Sequence, residues 1–347
     1  MRVLAKPSHS INNAYIDQLY NGLTELGVNV GELSFRKLFS KSDLLHIHWP
    51  ESVLTKRSLV ASASSFLRFY LTILWMKIFF GTKIIWTVHN LQPHERHLPE
   101  WWKNFFYNRF LKLLDGCIFL SASSKQLFEK KYNLAVVSSI IPHGHYCDVF
   151  NDVDLDEEFR KSLGIKETDK VLGHYGRIRR YKNIPFLISE FMKIDDQNMK
   201  LIIAGKCPRS ESSILKEIKT LVEKDDRELF IHGFVSNYKL AQLFNITNLA
   251  VFPYEDILNS GSAILSLSLK CPILVPNNRH MLELKDQVDK DLVKLISNNG
   301  LDNDIIESIK VDYDIGNAND YLEGFGWDKV LSKTLKFYET VNCHRDC

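Results

Sequence analysis

Short apolar runs of strand character alternate with helix-patterned stretches along the whole of this 347-residue chain. The first series is RVLAK (2–6), LLHIHW (44–49), KIIWTVH (83–89), GCIFLS (116–121) and VVSSIIP (136–142). The second is KVLGHYG (170–176), KLIIAG (200–205), ELFIHG (228–233), LAVFPY (249–254) and PILVP (272–276). Between them lie segments such as NAYIDQLYNGLTELG (13–27), where Tyr15, Leu19, Leu23 and Leu26 recur at helical spacing and Gly27 supplies the stop. Strands that alternate with helices pair in parallel, and a parallel sheet needs helices on both faces. The alternation lapses once, over NDVDLDEEFRKSLGIKETD (151–169), an acidic stretch that reads as a linker with a short helix opening the second series. The length is also too great for one ordinary core. These features imply an α/β architecture: two doubly wound, Rossmann-like domains, residues 1–153 and 154–325, facing across a cleft. In such sheets ligands bind beyond the C-terminal strand ends.

Composition narrows the functional classes. Hydrophobic content of 45% with 25% charge is that of a folded soluble chain. The six cysteines lack CxxC spacing, and Cys117, Cys207 and Cys271 sit in or beside apolar runs. They read as reduced core thiols and place the protein in the cytoplasm. Met1 leads straight into a strand-like run, with no secretory signal pattern. The segment FLRFYLTILWMKIFF (66–80), with Arg68 and Lys77, reads as too short and too charged to span a bilayer. It suits either a helix buried against a sheet or one lying on a membrane surface. Charge is divided unevenly: residues 1–150 hold 17 Lys and Arg against 10 Asp and Glu, while the remainder holds 27 against 32. Five of six tryptophans also lie in the basic half. That asymmetry fits peripheral contact with an anionic membrane or a lipid-linked anion. No Lys/Arg cluster with interleaved aromatics suits nucleic acid.

The chemistry-bearing residues fall at strand ends. After LAVFPY, the loop delivers Ser260, Gly261 and Ser262 to a helix start, where unpaired N–H groups and the positive dipole end suit a phosphate. Ser-Gly is also common at ordinary helix caps. GHYGRIRRYKN (173–183) adds Arg177 just past a strand and Lys182 at the next helix start, two cations that fit a diphosphate. Arg179 and Arg180 read as solvated. Histidines cluster at strand ends of the first domain: His46 and His48 on one side of a strand, His89 after the apolar KIIWTV, and His143 with His145. Zinc is the rival reading, but no HExxH or CxxC accompanies them. A neutral, cleft-facing imidazole that bonds a polar ligand suits His89.

These motifs resemble a known family. GRIRRYKN, MKLIIAGK, LFIHGFVSNYKLAQLFNITNLAVFPY and NSGSAILSLSLKCPILVP together resemble the second domain of GT-B glycosyltransferases, specifically the retaining family 4, or group 1, type found in bacterial polysaccharide assembly. GFGWDKVLSKTLKFYE (324–339) resembles that family's last helix, so residues 326–347 are expected to pack back on the first domain. TVHN and IPHGHY hold the places of a strand-end His and an Ile-Pro-x-Gly turn. The resemblance implies that Arg177, Lys182 and the N–H groups of Ser260, Gly261 and Ser262 hold a donor diphosphate. It implies that Phe234, Val235 and Tyr238 flank the base, and that His89 meets the donor sugar or the leaving phosphate. The family's two glutamates, eight apart, fall on Ile257 and Leu265 here; Glu255 and Asp256 are the nearest carboxylates.

The expected activity is transfer of a sugar from a UDP- or GDP-linked donor to a glycan or polyprenyl-diphosphate-linked acceptor, in capsule, O-antigen or exopolysaccharide synthesis. No cofactor is expected, and no metal, since no DxD motif occurs and the cations replace one. Retention needs no protein base; inversion needs one, with Glu95 or Glu51 as candidates. Asn12, Asn13, Trp49 and Glu51 are the acceptor-side candidates, and Glu255, Glu95 and His89 the catalytic ones. A Rossmann dehydrogenase is disfavoured because KPSHSINNAY lacks the glycines of a dinucleotide loop. An epimerase, a phosphorylase and a non-catalytic nucleotide-sugar-binding scaffold are the remaining rivals. The location implied is the cytoplasmic face of the cell membrane.

Overall fold

The computed structural model describes residues 1–10, 13–56, 58–91, 98–133, 136–150, 158–255, 257–288, 291–313 and 315–343. It divides into two compact units: Met1–Gly144 with Phe325–Cys347, and His145–Gly324. Unit 1 holds the strands β1 (Arg2–Lys6), β2 (Asn29–Glu32), β3 (Leu44–Ile47), β4 (Lys83–Val88), β5 (Gly116–Phe119) and β6 (Val137–Ile140). Its helices are α1 (Ala14–Glu25), α2 (Leu59–Phe80), α3 (Glu100–Phe110) and α4 (Ala122–Tyr132). Unit 2 opens with α5 (Glu158–Ser162) and holds β7 (Lys170–Tyr175), β8 (Met199–Gly205), β9 (Glu228–His232), β10 (Leu249–Val251), β11 (Ile273–Pro276) and β12 (Val293–Ile296). Its other helices are α6 (Ile184–Phe191), α7 (Ser212–Val222), α8 (Asn237–Asn245), α9 (Gly261–Ser268), α10 (Arg279–Gln287), α11 (Leu301–Ile309) and α12 (Ala318–Tyr321). The closing helix α13 (Trp327–Cys343) belongs to unit 1.

Both sheets are six-stranded and parallel, in the orders β2-β1-β3-β4-β5-β6 and β12-β11-β10-β7-β8-β9. The central strands are buried from end to end, as Leu44–Ile47 and Gly116–Phe119 are, because helices cover both faces. Two strands carry no apolar run and escape pattern reading: β2 is NVGE, a half-exposed edge, and β12 is VKLI. β10 is shorter than LAVFPY predicts. Phe252 still donates to Leu274 O, but Pro253 has no N–H with which to continue the ladder.

The largest departure is α2. The expected segment of about 15 residues is the C-terminal part of a 22-residue helix that starts behind the N-cap Ser58, whose hydroxyl accepts from Ala61 N. Among the described residues it is the one helix long and apolar enough to cross a bilayer, which corrects the reading of this segment as too short. It is nonetheless built into unit 1. Ser62, Phe66, Phe69, Ile73 and Met76 form a buried stripe, Ser62 Oγ donates to Val53 O, and Lys77 pairs with Asp115.

α13 completes the core of unit 1. Val330, Phe337, Tyr338 and Val341 are buried on it. Its approach needs glycine on the receiving side: a Cβ on Gly144 would stand 2.4 Å from the Trp327 ring, and one on Gly116 2.8 Å from Val341. Cys117, Cys147, Cys207 and Cys271 are buried free thiols. Truncating Phe337 to Ala removes a ring that is 5% exposed from this seam. The expected cost is about 3–5 kcal/mol, read as a lowered midpoint in urea denaturation followed by tryptophan fluorescence.

Candidate functional sites in the two units

In unit 2 the strand order reverses between β7 and β10, the position at which doubly wound sheets receive ligands. The chain leaves β7 at Gly176, whose φ of +119° suits glycine. The turn is tight enough that a Cβ on Gly205, at the end of β8, would stand 1.8 Å from the Gly176 carbonyl oxygen. Beyond it, Arg177 is exposed and Lys182 is buried. Arg179 is not solvated as its sequence context suggests: it is half-buried in a 2.8 Å ion pair with Glu211. Arg180 is exposed, 3.3 Å from Glu217.

Lys182 is the unusual group. Its ammonium lies 5.4 Å over the Tyr254 ring, and among the described residues no carboxylate pairs with it. Burial, then the Arg179 and Arg177 charges, push its pKa down to about 7. A Cβ on Gly176 would meet Lys182 Nζ at 3.1 Å and Ser262 Oγ at 3.4 Å, so the ammonium and the first turn of α9 border the same small space. Ser260 caps α9, its hydroxyl accepting from Ala263 N at 3.1 Å. The N–H groups of Gly261 and Ser262 lie in the first turn, where helices have no internal partner for them. Two further groups, unremarked in the sequence, border this space. The Tyr254 hydroxyl is buried beside Ser260 and Ser262, short of a well-formed hydrogen bond. His174 donates from Nδ1 to Val251 O at 2.8 Å, which leaves Nε2 a buried acceptor with no partner among the described residues. Burial, then Lys182, holds His174 neutral, with a pKa of about 3.

The remaining unit 2 candidates lie around this centre. Glu255 is exposed, its N–H bonded to Tyr181 O at 3.0 Å. Ile257 is buried and Leu265 half-buried, so the structure too offers no carboxylate at either family position. Phe234 and Tyr238 are exposed and Val235 half-buried on the turn from β9 into α8, where Tyr238 Oη accepts from Gln242 Nε2. Asp256, Glu95 and Asn12 lie outside the described residues.

In unit 1, His46 and His48 do share a side of β3, and both bond the Tyr20 hydroxyl, at 3.0 and 2.6 Å. His46 also contacts Tyr338 Oη at 2.6 Å and Thr87 Oγ1 at 2.7 Å; His48 Nδ1 contacts His89 Nε2 at 3.0 Å. Burial holds all three rings neutral, His46 down to about 3 and the other two well below the ordinary range. A neutral imidazole donates from one nitrogen only, so the tautomer of each ring dictates the next as far as His89. Among the described residues no group of three or more His, Cys, Asp or Glu side chains is arranged to hold a metal.

His89 is half-buried, with Trp49 stacked on it at 4.7 Å. Next to it in sequence, Asn90 donates from Nδ2 to Glu51 Oε1 at 3.1 Å. Glu51 is buried, its Oε2 has no hydrogen-bond partner among the described residues, and burial raises its carboxyl to about 7 despite the Asn90 bond. Thus His89, Trp49 and Glu51 are brought together, with Asn90 a partner that sequence pattern does not reveal. Asn13 instead caps α1, its Oδ1 accepting from Tyr15 N at 3.2 Å. A cavity of about 820 Å³ opens at the C-terminal ends of β1, β2 and β3, with Trp49 in its wall.

Residues 156–278 match the sequence model of the family described as glycosyl transferases group 1. GDP-mannose:glycolipid 4-beta-D-mannosyltransferase of Xanthomonas campestris pv. campestris is 28% identical over 285 residues, spanning 80% of this chain and 73% of that protein. The chain has the GT-B fold and is similar to group 1 glycosyltransferases. Among solved structures, the glycosyltransferase is similar to Anabaena HepE in complex with UDP and glucose (TM-score 0.70, 13% identity, 98% of this chain and 99% of that one). It is also similar to sucrose-phosphate synthase from Thermosynechococcus elongatus (TM-score 0.71, 15% identity, 99% of each chain).

Because Lys182 sits near 7 in the free glycosyltransferase, a bound diphosphate that favours the ammonium draws in a proton. Calorimetric titration with GDP in two buffers of different ionisation enthalpy is expected to show uptake of up to about one proton near pH 8 and little near pH 6. Lys182→Arg, charged throughout, is expected to show none; equal uptake by both proteins places the proton elsewhere.

Proposed function

We propose that this glycosyltransferase transfers a hexose, mannose from GDP-mannose in the first instance, to a glycolipid acceptor during assembly of a surface polysaccharide. The observation that carries the reading is the buried Lys182 ammonium, which pairs with no carboxylate among the described residues and borders the first turn of α9. Cleavage of the sugar–phosphate bond builds negative charge on the departing diphosphate, and fixed cations and helix-end N–H groups stabilise it without reorganising. Lys182, Arg177, Ser260, Gly261 and Ser262 form the donor half-site, which supports a metal-independent departure. Tyr254 and His174 add a buried hydroxyl and a bare acceptor nitrogen. The Xanthomonas relative's name supports GDP-mannose and a glycolipid, while the HepE complexes keep UDP as the alternative base. A glycolipid acceptor also fits a cytoplasmic protein working at the membrane.

For the stereochemical course, the family resemblance favours retention, but a specific observation favours inversion. Ile257 and Leu265 stand where the family resemblance places glutamates, whereas unit 1 holds Glu51, a buried carboxyl with one oxygen unbonded among the described residues and a pKa of about 7. That value matches a general base that must be ionised at working pH yet hold a proton after abstraction. A β-mannoside, as named in the relative, arises by inversion from GDP-mannose, in which the sugar is α-linked. Glu51 would take the acceptor hydroxyl proton, with Asn90 fixing its other oxygen and the neutral His89 orienting sugar hydroxyls.

The two half-sites titrate in opposite senses. Activity is expected to fall below about pH 7 as Glu51 takes a proton and to fall above it as Lys182 loses one, giving a narrow bell in kcat/KM. Lys182→Arg is expected to remove the alkaline limb. Glu51→Gln is expected to lower kcat by about 10²–10⁴-fold with GDP affinity unchanged. The raised carboxyl also makes a stability statement. Its contribution is full below its ordinary value of 4.5 and lost as pH rises through about 7. Glu51→Gln is therefore expected to be the more stable protein near pH 8, by up to roughly 3 kcal/mol. A fully active Glu51→Gln enzyme whose product retains the donor's anomeric configuration by NMR would overturn the inverting course. Bound GDP without transfer by the wild type to any glycolipid would support the scaffold reading.

A further inference from the structure

α2 is apolar on two opposite faces. Its inner stripe is buried in unit 1, and its outer stripe is not covered: Val60, Leu67, Leu71 and Ile78 recur at helical spacing and are each more than half exposed. A helix that is hydrophobic all round belongs in an apolar environment on both sides, and a contiguous exposed patch of this kind marks an interaction surface. The patch extends beyond the helix. The short 3₁₀ segment Phe35–Phe39 (FRKLF) lies against α2, tethered by Trp75 Nε1 donating to Leu38 O at 3.0 Å. Phe35, Phe39, Trp75 and Phe79 form a chain of rings with successive centroids 5.5, 6.1 and 4.0 Å apart. Phe35, Phe39 and Phe79 are each at least 60% exposed.

Charge identifies what covers this face. Arg36 and Lys37 lie between the two phenylalanines of the 3₁₀ segment. The 820 Å³ cavity adjoins the ring chain through Phe35 and Leu38, and Lys6, Lys56 and Arg68 border it; the one carboxylate among its lining residues, Glu32, accepts from Ser8 N. Aromatic rings and aliphatic side chains flanked by Lys and Arg are the composition of a surface lying in the headgroup layer of an anionic bilayer. A second copy of this chain would bring the same cations onto one another. Spanning the bilayer would require α2 to abandon Phe66, Phe69, Ile73, Met76 and the Lys77–Asp115 pair. We propose that unit 1 docks on anionic membranes through the outer stripe of α2 and the Phe35–Phe39 segment, and that the adjoining cavity takes the phosphate-bearing headgroup of a lipid. The surface is legible without reference to catalysis; identifying that lipid with the acceptor rests on the reading given under Proposed function.

The test uses the full chain and vesicles of phosphatidylcholine, with and without phosphatidylglycerol, in a flotation assay at low and high salt. Wild type is expected to float with the anionic vesicles and to be released by salt. Leu71→Glu with Ile78→Glu, both at exposed positions, is expected to weaken binding at least about tenfold. Lys56→Ala with Arg68→Ala is expected to cost a similar factor on anionic vesicles only, since each cation near such a surface contributes about 1 kcal/mol. Unchanged far-ultraviolet circular dichroism and GDP affinity in these variants confirm that they fold. Wild type that stays with the soluble fraction overturns the proposal, as does a concentration-dependent dimer in sedimentation velocity that Leu71→Glu dissolves. Vesicle binding without sugar transfer would leave this surface standing and sink the proposed reaction; transfer to a soluble acceptor without vesicle binding would do the reverse.

Discussion

A buried ammonium ion with no carboxylate paired to it among the described residues organises the chemistry of this protein. Lys182 is taken out of water, and the charges that act on it, Arg179 and Arg177, have the same sign. Such a position is unfavourable for the ion in the free protein and becomes favourable when an anion arrives. The surrounding backbone is arranged to permit that arrival. Gly176 bends the chain out of β7 without a side chain, and the start of α9 brings its N–H groups to the same space. The strand-order reversal between β7 and β10 is what places a β7 loop beside a β10 loop at all. Remove the anion and the arrangement is a liability for stability; supply it and the liability becomes binding energy.

Unit 1 has the complementary logic. Its strand-end histidines are neutral and linked, His46 to His48 through the Tyr20 hydroxyl and His48 to His89 directly, so they offer oriented dipoles rather than charge. Glu51 is the titrating group, isolated from water and steadied by one amide. The loop after β7 thus carries cations, whereas the ends of β3 and β4 carry neutral polar groups around one buried carboxyl. The separation matches the demands of glycosyl transfer, in which one partner gains negative charge and the other sheds a proton.

Much of the fold was legible because the central strands carry uninterrupted apolar runs that only a doubly covered parallel sheet explains. What was not legible lacks such a run. β2 and β12 are short edge strands defined by their pairing, and the end of β10 is set by Pro253. The N-terminal third of α2, LVASASS, has weak periodicity and is helical because Ser58 caps it and Ser62 anchors it to Val53. Among the candidate residues, Lys182 and the Ser260–Ser262 turn stand out in the sequence because they are a cation and small residues that follow apolar strands. Tyr254 and His174 do not, since an aromatic ring or an imidazole inside a strand pattern looks like core until its polar atom is seen to lack a partner. The bond between His46 and Tyr338 joins residues 292 apart, beyond the reach of any local pattern.

That last bond carries a consequence for how the protein comes into being. Unit 1 is discontinuous in sequence: its sheet is complete by Gly144, but α13 arrives only after all of unit 2 has been made. Until then the glycine-lined seam at Gly116 and Gly144 stands open, and the imidazole relay lacks its terminal hydroxyl. On the ribosome the order of maturation is therefore inverted relative to synthesis. The half that emerges first is finished last, and a chain cut short between Gly324 and Trp327 leaves a complete unit 2 joined to an unfinished unit 1.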